Sequence, residues 1–194
     1  ASTLTMSGRV VYDGTTRVNI APAGASLLNA VLAGPVLFDV TDGLDNPDLR
    51  IGYYENYQYR PVNLSGTGAI VKNGAGTLSL RGANTFVGTV TVNQGMLVGD
   101  FPATGVSPFG HSANAFILNG NGTLFCTSPG TFNLGTVTFS GNNTMKFSVG
   151  QSSGSWTIPS VTRASGSRGT FAFGGSWDAV AYYDYLGANI QLYV

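Results

Sequence analysis

The chain has 194 residues, nine Lys and Arg against nine Asp and Glu, and only 9% charged positions, against roughly 25% in an ordinary soluble domain. A net charge of zero gives no field to hold a phosphate backbone, so composition argues against nucleic acid as a partner. No apolar run approaches the roughly 18 residues of a membrane span, and 43% apolar content argues for a packed core over disorder.

The chain opens Ala1-Ser2-Thr3 without an initiator Met. That start fits a secreted chain whose signal peptide has been cut, and equally Met removal before a small residue. The best helical signal is Gly24 to Ala33, with Ser26 as N-cap and Gly34-Pro35 as a stop; the same stretch also reads as two buried strands with a turn. An acidic loop follows, with carboxylates at Asp39, Asp42, Asp45 and Asp48. Carboxylates are what calcium takes, but this spacing is neither the EF-hand nor the nonapeptide pattern. The expectation is a solvated turn with caps at Asp42-Gly43 and Asn46-Pro47, and neither metal nor cofactor. Then come four tyrosines, Tyr53, Tyr54, Tyr57 and Tyr59.

From residue 63 the period is two, with Gly or Asn at the breaks. Gly76 to Leu80, Gly88 to Val92, Gly135 to Phe139 and Thr144 to Val149 are predicted strands. Leu78, Leu80, Val90, Val92, Val137 and Phe139 face inward; Thr and Ser face outward, where a branched Cβ suits the pleat. Lys72 and Lys146 read as outer-face solubilisers. Cys126, the only cysteine, lies in the apolar run Thr123 to Cys126 and reads as a buried thiol, so no internal disulfide forms. Residues 151–194 turn Ser- and Gly-rich and then aromatic, through Tyr182, Tyr183, Tyr185 and Tyr193. No stretch resembles a flexible linker. The chain reads as one domain, with an N-terminal cap or assembly region (1–62), a regular region (63–150) and C-terminal strands (151–194).

The regular region carries a resemblance. Lys72-Asn73-Gly74-Ala75-Gly76-Thr77-Leu78-Ser79-Leu80-Arg81-Gly82-Ala83-Asn84-Thr85-Phe86-Val87-Gly88, running on to Gly95-Met96-Leu97, closely resembles the passenger-associated repeat of bacterial autotransporters. Gly74, Gly76, Gly82, Asn84, Gly88 and Gly95 occupy its corner positions. The resemblance implies a right-handed parallel β-helix, here with irregular aromatic-rich ends. Short strands with Gly at corners needing positive φ agree with it, and stacked turns satisfy one another's backbone groups. The rival is an antiparallel β-sandwich or jelly roll, which shares the alternation and turn spacing.

No catalytic set emerges. His111 is the only histidine, no G-x-S-x-G elbow frames a serine, and the carboxylates outside the acidic loop are scattered, although β-helices also host polysaccharide enzymes. The expectation is a non-enzymatic, extracellular or cell-surface structural subunit. Its strand-rich ends, poor in the charge that blunts sheet edges, pair with copies of the chain into a filament or layer. The alternatives are an adhesin-type passenger module binding glycan or host protein through the tyrosines, and a viral or phage structural protein.

Overall fold

The computed structural model describes residues 2–23, 27–55, 58–100, 107–127, 131–148 and 155–174. The described residues form eighteen strands and no helix. Their order is β1 (Ser2–Tyr12), β2 (Val18–Ile20), β3 (Leu28–Val40), β4 (Leu49–Ile51), β5 (Tyr53–Glu55), β6 (Gln58–Arg60), β7 (Val62–Gly66), β8 (Ile70–Asn73) and β9 (Thr77–Leu80). There follow β10 (Val90–Val92), β11 (Met96–Gly99), β12 (Phe116–Gly120), β13 (Thr123–Cys126), β14 (Thr131–Asn133), β15 (Val137–Ser148), β16 (Ser155–Thr157), β17 (Val161–Arg163) and β18 (Arg168–Gly174).

These strands coil into a parallel β-helix. One face is built from β1, β3, β8, β10, β12, the first half of β15, and β17. A second is built from β2, β4, β9, β11, β13, the second half of β15, and β18. Both faces are parallel throughout, which excludes the sandwich; the hairpin β5–β6 is the only antiparallel pair among the described residues. On a third side the first half of β3 lies between the first half of β1 and β7, and β14 pairs with β16. The described residues thus make seven coils, the first of them holding β1 and β2 and the last β16 to β18.

Alternation decides which residues face inward. Val36, Ile70, Val90, Phe116 and Val137 stack in one buried column, and Leu49, Leu78, Leu97, Leu124 and Met145 in another. Each such side chain removed from water contributes about 1.5–3 kcal/mol. Cys126 lies buried in the next column, between Gly99 and Phe147, and burial pushes its thiol up.

Of the two readings of Gly24 to Ala33, helix fails. Residues 24–26 lie outside the described residues, but Leu28 to Val40 is one strand. Ala30 and Leu32 are fully buried, two apart. Here β1 and β7 offer backbone partners on both sides, which outweighs the modest helix propensity of an Ala/Leu run.

The corners depend on missing side chains. Gly74 has φ +79°, and a Cβ there would lie 2.3 Å from Val40 O; at Gly82 it would lie 2.0 Å from Val62 O. Neither approach is open to any other residue. Asparagine amides tie the coils together. Outside the first face, Asn119 Nδ2 donates to Asn93 Oδ1 (2.7 Å), Asn93 Nδ2 to Asn73 Oδ1 (2.7 Å) and Asn73 Nδ2 to Asp39 Oδ1 (2.8 Å). This is a ladder in register. Buried Asn84 accepts from Leu64 N (2.8 Å) and donates to Pro108 O (2.6 Å), linking the coils on either side of its own.

Candidate functional site

The corner joining the first two faces concentrates the buried polar groups. Lys72 is fully buried, in line with Phe38 and Val92, which corrects its reading as an outer-face solubiliser. Its Nζ donates to Asn73 O (2.8 Å), Gly74 O (2.7 Å) and Gln94 O (3.2 Å). Those carbonyls turn inward at two successive corners, and an ammonium is the side chain that can satisfy all three. Burial lowers the Lys72 pKa to about 8, against the pull of Asp48 and Asp39. The signal was in the sequence: strict alternation from Ile70 puts residue 72 inside. Lys146 does lie on the outward side, part-buried, with Nζ 4.6 Å from the centroid of the Phe125 ring.

The acidic loop divides. Asp48 is buried and accepts from Gly43 N and Thr77 N, both at 2.7 Å. The loop is therefore clamped to the next coil by Asp48 where the sequence predicted a solvated, self-capped turn. Asp39 heads the asparagine ladder and also takes the Arg9 guanidinium. The bonds from Arg9 and then Asn73 hold its carboxyl below the usual range. Asp45 accepts from Arg17 N (2.7 Å), while Asp42 is exposed. Asp39, Asp45 and Asp48 are thus committed to different partners, and among the described residues no group of three His, Cys, Asp or Glu is placed to hold a metal.

Sequence reasoning also missed Tyr12. It is buried at the first corner, with its hydroxyl donating to Thr16 O (2.9 Å); burial, then the charges of Asp48, Asp45 and Asp13, push its phenol up.

Tyr53, Tyr54 and Tyr59 share the hairpin β5–β6, which leaves the coil between β4 and β7. Tyr53 is part-buried and Tyr59 exposed. Tyr57, Tyr182, Tyr183, Tyr185 and Tyr193 lie outside the described residues. The repeat glycines Gly74, Gly76, Gly82, Gly88 and Gly95 all abut backbone of the preceding coil. His111 is exposed, its Nδ1 accepting from Ala113 N (3.1 Å).

The remaining feature is an open end. Strand order terminates at β1 on one face and β2 on the other, so each has a partner on one side only among the described residues. The first coil leaves a shallow cavity of about 240 Å³ against Val10, Tyr12, Asp13, Val18 and Ile20. Of the large hydrophobics exposed among the described residues, Leu4, Val11 and Val18 belong to this coil and Leu27 and Leu44 to the next. An edge this apolar, with no Pro in β1 or β2 and no partner strand on its outer side among the described residues, is a template for strand pairing.

Residues 70–98 match the family described as passenger-associated-transport-repeat; the matched stretch runs from β8 to within one residue of the end of β11. No curated protein and no solved structure matches the chain. No helix among the described residues is long and apolar enough to cross a membrane.

Proposed function

We propose that this chain, with a passenger-type repeat in its central coils, is an extracellular structural subunit that associates with copies of itself through its open end. The observation that carries this reading is the unpaired apolar first coil: strand addition there supplies directional backbone bonds and covers Val10, Val18 and Ile20. The repeat supports a surface location for the chain, since passengers are the exported parts of their proteins. The reading assigns the chain no reaction and no cofactor; its work is to extend and to pair.

Sedimentation velocity over about a hundredfold range of concentration tests it. Weight-average mass should rise with concentration, and a monomer throughout would end the reading. The hairpin supports a second reading, an adhesin module that presents Tyr53 and Tyr59 to a glycan or host protein. A glycan panel probed with wild type and with a Tyr53→Ala/Tyr59→Ala variant separates the two, because self-association does not use that hairpin.

A further inference from the structure

The first and last coils share a corner geometry that the coils between them lack. From Val10 on the first face to Val18 on the second, the first coil spans eight residues. The last coil also takes eight, from Arg163 to Phe171. In the coil between Lys72 and Leu78 the same span is six residues, and between Val92 and Leu97 it is five. A last coil laid on a first coil therefore meets a corner of the same length.

Among the described residues no strand pairs with the outer edge of either coil: β17 pairs with β15 alone, and all three of its residues are exposed, Val161 at 46%. Continuing the register sets Val161 over Gly8, Arg163 over Val10 and Phe171 over Val18, which is itself 46% exposed. The same count sets Asp13 opposite Gly166, between Arg163 and Arg168.

The charges at the two corners are opposite. Asp13 is exposed at the first corner, and exposed Asp42 lies in the loop joined to that corner by Leu44 N donating to Thr15 O (2.9 Å). Arg17, the cation nearby, is spent on Pro47 O (2.9 Å) and Asp45 (3.9 Å). At the last corner Arg163 and Arg168 are both exposed and have no partner among the described residues.

Resting on the self-association reading, we propose that copies stack head to tail, the first coil of one on the last coil of the next, with Asp13 seated between the neighbour's Arg163 and Arg168. Such a contact joins unlike surfaces and propagates as an open fibre. The charged pair fixes which end meets which, and the strand edges hold the join.

The test is a charge swap read by sedimentation velocity and negative-stain electron microscopy. Wild type should form fibres with an axial repeat of about 34 Å, seven coils at ~4.8 Å each. Asp13→Arg alone and Arg168→Asp alone should each weaken association about tenfold. Mixing the two variants should restore fibres, since every head then finds a tail of opposite charge. Both sites are exposed, so circular dichroism and the thermal midpoint should match wild type; Asp13→Asn and Arg168→Gln, with the same loss in milder form, serve if either swap misfolds. If wild type assembles but the swaps change nothing, or the mixture is not rescued, the head-to-tail contact is overturned and self-association by another surface stands. If wild type stays monomeric, both fall.

Discussion

In the coil holding β8 and β9, each strand has a parallel neighbour above and below, and Ile70, Leu78 and Leu80 are fully buried. In the coil holding β1 and β2, each strand has one neighbour, and Val11 and Val18 stand 56% and 46% exposed. The alternation is the same in both, and so is the scarcity of charge. What differs is the number of coils in contact. A solenoid unit is stable through its neighbours, so the same pattern gives a sealed interior in the middle and exposed apolar residues in the first coil.

Glycine substitutions give the widest separation. Gly82→Ala should cost more than about 3 kcal/mol, because the new methyl meets the Val62 carbonyl at 2.0 Å and backbone must move. Gly8→Ala in the first coil meets nothing within 4 Å and bears only its φ of +84°, about 1–2 kcal/mol. Urea unfolding of both variants measures the gap, and equal losses would break the comparison.

Next comes the buried ammonium. Lys72→Met leaves three carbonyls without a donor and should cost about 3 kcal/mol. Arg9→Met, which removes an exposed ion pair from the first coil, should cost under about 1 kcal/mol. A pH series sharpens the point. Folded Lys72 releases its proton at about 8 and the unfolded lysine near 10.5, so between those values the unfolded state holds more protons and stability rises with pH. Denaturant midpoints at pH 7.5 and 9.5 should show wild type gaining by up to about 2 kcal/mol and Lys72→Met showing no such gain. Tyr12, raised above 10, acts only beyond that window, where stability falls as pH rises through its folded value.

Smaller effects follow along the ladder. Asn93→Ala breaks two amide bonds between coils and should cost about 1 kcal/mol by thermal unfolding. Asp39, held low by Arg9 and Asn73, contributes stability that is present above the ordinary carboxylate range and lost as pH falls through its folded value. Asp39→Asn should flatten that acid limb slightly, the smallest change of the set.

The central coils were legible because their information is local. A Gly at a fixed offset, an Asn three residues before another Gly and a run of alternating Leu and Thr each constrain one strand or corner. Gly76 to Leu80 and Thr89 to Val92 fold as the pattern says. The roles of Lys72 and Asp48 were not legible in this way. Residue type argued for solvent in both cases, while the structure uses them inside, where inward carbonyls and amides from two coils converge. Nothing within one coil announces that convergence. Tyr54 and Tyr59 were marked as a cluster, but only the register β5 to β6 joins them across a hairpin.

By itself the sequence determined the period and the corners, because backbone geometry at Gly and alternation along a strand are properties of adjacent residues, and the resemblance of its repeat added the expectation of parallel coils. Tertiary structure alone decided which inward carbonyls and amides Lys72 and Asp48 satisfy inside the stack, and which corners lie over one another. Those outcomes depend on residues brought together from different coils, and no neighbour in the chain records them.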